Sequence, residues 1–162
     1  MKNPAYIIPL LLLISLIGSC KKENIDTQKP TISIDFADAF PVNCDTLYFG
    51  ETATVKMKFA DNVELGSYSI SIHNNFDHHN HSTEVNECDL DPVIEPVNPY
   101  SFIQDYSIPE GSSEYETSTT IQIPVGNTTG IFDEGDYHFF ISVTDKEGWS
   151  GQMGLSIKIL HK

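Results

Sequence analysis

Hydrophobic and polar residues alternate with a period of two along several short stretches of the chain. The clearest stretch is residues 52–60, whose apolar members would all face one side of a strand: Ala53, Val55, Met57 and Phe59. Residues 137–144 and 149–159 alternate in the same way, and the four polar or glycine residues 145–148 between them are typical of a turn. The end of the chain is therefore predicted to form a hairpin.

Four further stretches fit the same pattern and predict additional strands. They are residues 31–36, 67–73, 100–108 (a short strand at a sheet edge) and 118–123. Apolar residues do not recur at helical spacing over any useful length. About seven short strands separated by turn residues predict a single all-β domain over residues 30–162, an immunoglobulin-like antiparallel β-sandwich.

The first twenty residues stand apart because they contain an unbroken apolar core. Lys2 precedes this core, and small residues follow it, which describes a secretory signal rather than a spanning helix. The string Ile17-Gly-Ser-Cys20 resembles a bacterial lipobox. The resemblance implies a signal peptide over residues 1–19 and a lipid on Cys20; an ordinary signal peptide that contains a cysteine is the alternative.

Residues 20–29 are predicted to be the lipidated cysteine and a flexible tether, since they are polar and lack a pattern. Fatty chains on Cys20 would attach the protein to a membrane leaflet without a spanning segment. We therefore expect a location in the cell envelope, lipid-anchored to the outer membrane on its periplasmic side or at the cell surface.

The chain is strongly acidic, with 23 acidic residues against 9 lysines, no arginine and a net charge of −14. Nucleic-acid binding requires a basic face, and bidentate recognition of phosphate uses guanidinium groups. The composition therefore excludes a nucleic-acid partner. An acidic surface would instead raise the local concentration of cations.

Two cysteines remain once Cys20 is assigned to lipid. In an oxidising compartment an even pair is most simply a disulfide, here between Cys44 and Cys88. The alternative is that Cys88 acts as a thiolate metal ligand.

Four of the six histidines lie within the nine residues 73–81. Neutral imidazole is the commonest protein ligand for zinc and copper. In an immunoglobulin-like topology the strand that ends at His73 and the strand that begins near His138 are antiparallel neighbours, with both histidines on the outer face. We therefore predict one zinc or copper site, with Asp77 as a ligand or a brace, drawn from this set: His73, Asp77, His78, His79, His81 and His138.

The spacing of these residues matches no known metalloenzyme motif, and no serine lies in a nucleophile-elbow pattern. We therefore predict a non-catalytic protein that captures, buffers or delivers the ion. A metal-dependent hydrolase or dismutase would need an open coordination position and a base, for which Glu84 is the nearest candidate. The other readings are an adhesion or assembly module whose histidine-rich loop contacts an envelope protein or a glycan, a pH-responsive contact, and a solvated polar loop.

The remaining acidic residues have simpler interpretations. Asp61 and Asp145 lie in predicted turns, where aspartate commonly accepts hydrogen bonds from its own backbone. Asp89, Asp91 and Glu95 could offer oxygen ligands to calcium, but an acidic, proline-rich loop accounts for them more simply.

Several strings resemble known bacterial proteins. The turns at residues 60–68 and 144–149 look like those of bacterial immunoglobulin-like surface modules. Four strings together resemble a family of uncharacterised Bacteroidota envelope lipoproteins: residues 72–82, 88–92, 135–139 and 145–149. This resemblance covers nearly all of the chain after the signal. It implies the fold class and the envelope location, and it implies no activity, because that family is a domain of unknown function.

Overall fold

The computed structural model describes residues 26–79 and 88–162, so Cys20, His81 and Glu84 lie outside the described residues. The described residues form strands and no helix, which confirms the all-β prediction. Accordingly, this part of the chain has no helix that could cross a membrane. The strands are β1 (Thr31–Ser33), β2 (Thr46–Tyr48), β3 (Thr52–Val55), β4 (Lys58–Ala60), β5 (Leu65–Asn74), β6 (Phe102–Ser107), β7 (Glu114–Glu116), β8 (Thr119–Gln122), β9 (Gly126–Asn127), β10 (Gly130–Ile131), β11 (Gly135–Asp145) and β12 (Ser150–Leu160).

The larger sheet has five strands in the order β2-β12-β11-β5-β6. The predicted hairpin of β11 and β12 lies at its centre, and the predicted edge strand β6 closes one side. The other edge differs from the prediction of a purely antiparallel fold, because β2 runs parallel to β12. Only three residues form β2, too few for their alternation to be recognised in the sequence.

The smaller sheets, β1-β4-β7 and β3-β8, complete a sandwich-like arrangement with the five-stranded sheet. The alternating stretch 52–60 supplies strands to both small sheets. The break falls at Lys56, whose backbone amide and carbonyl bond to Phe40 at 2.7 and 3.1 Å. All four side chains predicted to face inward are nevertheless buried, because the pleat continues through the break.

The core also fixes which way the residues of β11 face. Tyr137, Phe139, Ile141 and Val143 are all fully buried in the hydrophobic core, as their alternation predicts. Each such side chain contributes roughly 1.5–3 kcal/mol of hydrophobic stabilisation. Because successive residues of a strand point to opposite faces, His138 projects from the other side of the sheet.

The structure contains the predicted Cys44–Cys88 disulfide, with the two Cα atoms 5.6 Å apart. It joins the loop that precedes β2 to the segment that leads towards β6. Since the sulfur of Cys88 is bonded to that of Cys44, Cys88 is not a thiolate ligand in this structure.

Gly151 lies against the backbone that leads into β1. A Cβ atom at this position would be 2.1 Å from the carbonyl oxygen of Pro30. Replacing Gly151 with alanine should therefore displace this segment and lower the free energy of unfolding by about 1–3 kcal/mol. Denaturant unfolding would measure the loss. Gln152→Ala, at an exposed position of the same strand, is the control, and equal midpoints for the two variants would contradict the prediction.

Candidate metal centre

The first two histidines are brought together by strand pairing. His73, near the end of β5, lies directly opposite His138, near the start of β11. Residues paired in this way project from the same face of an antiparallel sheet. Their side-chain rings are 5.3 Å apart between centroids. The prediction that these two histidines are neighbours on adjacent strands is therefore confirmed.

A tight turn after β5 brings in the third histidine. The amide of His78 donates to the carbonyl oxygen of Asn75 at 3.1 Å, and His78 adopts a φ of 58°, which is uncommon for a residue other than glycine. Phe76 anchors the turn, since its buried ring packs edge-on against Tyr137 with centroids 5.3 Å apart. The turn therefore places His79 beside the two strand histidines.

The three imidazoles form a compact group. One ring nitrogen from each of His73, His79 and His138 lies within 4.8 Å of the others. The His79 ring is 5.6 Å from the His73 ring and 4.9 Å from the His138 ring, between centroids. Tetrahedral zinc, with Zn–N bonds of about 2.0–2.1 Å, places its nitrogen ligands about 3.3 Å apart. Small side-chain rotations would therefore bring this group to coordination distance.

Hydrogen bonds select the nitrogen that each of two histidines can offer. Nε2 of His138 is 3.0 Å from the carbonyl oxygen of His79. A carbonyl can only accept, so Nε2 carries the proton and the lone pair of His138 is on Nδ1. Nδ1 of His79 likewise donates to Oδ1 of Asp77 at 2.5 Å, which leaves the lone pair on Nε2. Carboxylate and carbonyl acceptors orient metal-binding imidazoles in this way.

The electrostatics of the group suit a cation. His138 is 1% exposed, whereas His73 and His79 are half-buried, so an ion would approach from the side of the latter two. The hydrogen bond from His79 lowers the pKa of Asp77, which keeps this carboxylate ionised beside the imidazoles. Because Asp77 is largely exposed, its contribution to the binding of a cation is screened by solvent.

Comparison with known protein families finds a match over most of the chain. The model of a family described as a domain of unknown function, DUF4625, matches residues 18–160. The chain belongs to the DUF4625 family. No curated protein matches it. The match confirms the predicted membership of a family whose function is unknown.

The two other described histidines of this DUF4625 chain, His78 and His161, lie outside the group. Nε2 of His78 is 2.8 Å from the carbonyl oxygen of Asp91, so the structure does not bring His78 into the group. His81 and the lipidation candidate Cys20 lie outside the described residues. Of the six predicted site residues, three form the group, and Asp77 braces one of them.

The acidic loop considered for calcium forms no cluster among residues 88–162. The carboxylate of Asp91 instead pairs with Lys158, with Oδ2 2.7 Å from Nζ, and Asp136 contacts the same amine at 3.2 Å. Although burial opposes the charged form, these two carboxylates raise the pKa of Lys158. The loop is therefore fastened to β12 by an ion pair.

Sequence reasoning missed a second group of potential ligands, formed by Asp26, Asp61 and Asp145. The turn roles predicted for Asp61 and Asp145 are present, since both accept backbone hydrogen bonds in their own turns. Asp26 falls in the stretch assigned to the tether, yet it is buried against the domain. The three residues are too far apart in the sequence for any motif spacing to connect them. The sequence indicated only that Asp61-Asn62 and Asp145 lie in turns.

Proposed function

We propose that this DUF4625 protein binds one transition-metal ion, zinc or copper, through His73, His79 and His138, and that it captures, buffers or delivers that ion in the cell envelope. The convergence of three imidazole nitrogens within 4.8 Å carries the proposal. Two of these imidazoles already have their other nitrogen bonded to an acceptor.

Ligand chemistry favours zinc or copper over calcium or magnesium at this position. Imidazole suits zinc and copper, whereas calcium and magnesium prefer oxygen ligands. Three protein nitrogens leave a fourth tetrahedral position, which water or the predicted ligand His81 could fill. Asp77 is bonded to His79, so it does not serve as a free base for activating a bound water. The open position meets one of the two requirements of an enzyme, but Asp77 does not supply the other, so we propose binding rather than catalysis.

We also propose that a lipid on Cys20 attaches the protein to the outer membrane. The lipobox-like string supports this attachment, and the Cys44–Cys88 disulfide agrees with an oxidising compartment. Replacement of Cys20 with serine should release the protein from the membrane fraction and abolish labelling by a fatty acid. Membrane retention of this variant with unchanged labelling would contradict the attachment.

Metal loading should stabilise the folded protein. For the full chain in detergent, carrying no histidine tag, we expect about one zinc or copper ion per chain by elemental analysis. At a free concentration about 100 times the dissociation constant, the ion should stabilise the fold by about 2.7 kcal/mol, or roughly 5–10 °C in melting temperature. His79→Ala should remove both effects, because it deletes one ligand from a loop and leaves the core intact.

His78→Asn is the matched control for His79→Ala. His78 neighbours the site but bonds to Asp91, and asparagine tolerates the positive φ at this position. This variant should keep its metal and its thermal shift. Equal metal content in the His79→Ala and wild-type proteins, or a melting temperature that neither zinc nor copper changes, would contradict the proposed function.

A second candidate function, an assembly module that contacts an envelope protein, is favoured by exposed apolar side chains in the loop before β6. These are Leu90, Val93, Ile94 and Val97. Clustered apolar groups on a surface commonly mark contact sites. Such a partner would bind equally well after chelation of the metal, whereas a partner that receives the ion would not.

A further inference from the structure

Three carboxylates meet at the C-terminal end of β11, whereas His138 lies near the N-terminal end of the same strand. Asp145 is the last residue of β11, Asp61 lies in the turn between β4 and β5, and Asp26 precedes β1. One oxygen from each lies within 4.8 Å of an oxygen from each of the others. Asp145 and Asp26 are only 4% and 6% exposed, and Asp61 is half-buried.

Backbone amides hold two of these carboxylates by one oxygen each. Oδ2 of Asp61 accepts from the amides of Val63 and Glu64 at 2.8 and 2.9 Å. Oδ1 of Asp145 accepts from the amide of Trp149 at 2.8 Å. These bonds account for the turn roles of both residues and leave the second oxygen of each uncommitted.

Asp26 is held in the same manner. Its Oδ1 accepts from the amide of Gln28 at 2.9 Å and from the side-chain nitrogen of Asn62 at 3.0 Å. These two bonds lower the pKa of Asp26, so this carboxylate is ionised at neutral pH. The indole nitrogen of Trp149 also donates to the carbonyl oxygen of Asp26 at 3.0 Å, which fixes the segment against the β11–β12 turn.

The other three oxygens are the unusual feature of this group. Oδ2 of Asp26, Oδ1 of Asp61 and Oδ2 of Asp145 are all buried, and none accepts a hydrogen bond from residues 26–79 or 88–162. None of the lysine–carboxylate pairs formed within these ranges includes the three residues. Buried carboxylate oxygens are costly without a partner, and three like charges at this distance also repel one another. A bound cation would satisfy all three oxygens at once.

We propose that Asp26, Asp61 and Asp145 form a binding site for a hard divalent cation, and that calcium is the ion that fits it. Calcium takes six to eight oxygen ligands at about 2.3–2.6 Å, so oxygens on opposite sides of one ion are about 5 Å apart. Magnesium holds its ligands at about 2.0–2.1 Å and demands a tighter octahedron. The site is chemically distinct from the imidazole group, because its side-chain ligands are all oxygens.

The ion would join three separate segments of the chain: the entry into β1, the β4–β5 turn and the β11–β12 turn. Calcium added to the full chain in detergent, after removal of metals with EGTA, should therefore raise the melting temperature. We expect a rise of about 5–10 °C at a concentration well above the dissociation constant. One calcium ion per chain should bind.

Trp149 provides a direct probe of this site. It is the only tryptophan in the sequence, and its amide bonds to Asp145. Terbium, which takes calcium's oxygen ligands, should therefore emit when the indole is excited, and calcium should displace this emission. Trp149→Phe should lose the emission but keep the thermal shift produced by calcium.

Asp145→Asn is the decisive variant. Asparagine retains a carbonyl oxygen for the amide of Trp149 but replaces the uncommitted oxygen with an uncharged amino group. This variant should lose the calcium-dependent shift and the terbium emission. Its melting temperature in EGTA should equal or exceed that of the wild type, since a repulsive charge has been removed.

Asp133→Asn is the matched control. Oδ2 of Asp133 accepts from the amides of Val97 and Asn98 at 2.7 and 2.6 Å, a comparable role outside the cluster. This variant, like His79→Ala, should keep the full response to calcium. The proposal is overturned if calcium leaves the wild-type melting temperature unchanged and terbium does not emit, or if Asp145→Asn responds like the wild type.

Discussion

Replacing both Cys44 and Cys88 with serine is expected to lower the free energy of unfolding by about 4 kcal/mol. The two cysteines are 44 residues apart, and the chain-entropy model gives this loss for a closed loop of that length. For a domain of this size the melting temperature should fall by about 8–16 °C. Thermal and denaturant unfolding under oxidising conditions would measure both quantities.

The effect of the disulfide can be separated from that of the substitution itself. A reducing agent should destabilise the wild-type protein by a similar amount and should leave the double-serine variant unchanged. The bridge also restrains the segment that carries Asp91, whose amide donates to Asp136 at 2.7 Å. If the oxidised wild type and the double variant unfold at the same denaturant midpoint, the disulfide does not stabilise the fold as we expect.

Loss of stability between pH 10 and pH 12 is the second large effect that we expect. Burial raises the pKa of Tyr100 and of Tyr137 to about 12, against about 10 in an unfolded chain. The unfolded chain therefore releases these two protons at a lower pH than the folded protein does. Their contribution to stability is complete below pH 10 and is lost as the pH rises to 12. We expect a loss of about 3–5 kcal/mol for the pair, after allowance for solvent screening.

Phenylalanine variants would assign this alkaline loss. Tyr137→Phe should cost about 1–3 kcal/mol at neutral pH, because the hydroxyl donates to the carbonyl oxygen of Asp133 at 2.6 Å and accepts from the amide of Tyr100 at 3.2 Å. It should also remove about half of the alkaline loss. Denaturant midpoints at several pH values would show both effects, with Tyr115→Phe as the control for general alkaline destabilisation. Equal alkaline losses in Tyr137→Phe and the wild type would refute the assignment.

The alternation of apolar and polar residues was sufficient to predict the central hairpin and the inward-facing residues of β5 and β11. This succeeded because, in a strand with one buried face, apolar residues occupy every second position of the sequence. The pairing of His73 with His138 was predictable for the same reason, since strand order and pleat parity together determine which residues meet. The local pattern could not show that residues 52–60 contribute strands to two different sheets. The strand changes its hydrogen-bonding partner at Lys56, but its apolar and polar residues continue to alternate.

The sequence could not show which of His78 and His79 joins the imidazole group, because this depends on the backbone conformation of His78. His78 and His79 are adjacent and chemically identical, but the positive φ of His78 directs its ring to Asp91 and leaves His79 beside the strands. The acidic cluster was hidden for a different reason. Its three residues lie in separate segments, and they meet only after the sandwich has assembled.

The two groups of candidate ligands lie near opposite ends of β11. Asp145 is seven residue steps beyond His138 along β11, a length of about 24 Å in an extended strand. The described chain begins at Asp26, beside the carboxylates, and Cys20 is only six residues earlier. A lipid on Cys20 would therefore hold the carboxylate end close to the bilayer and present the imidazoles towards the opposite side. In that orientation a partner could exchange an ion with the histidines without competing with the membrane for space.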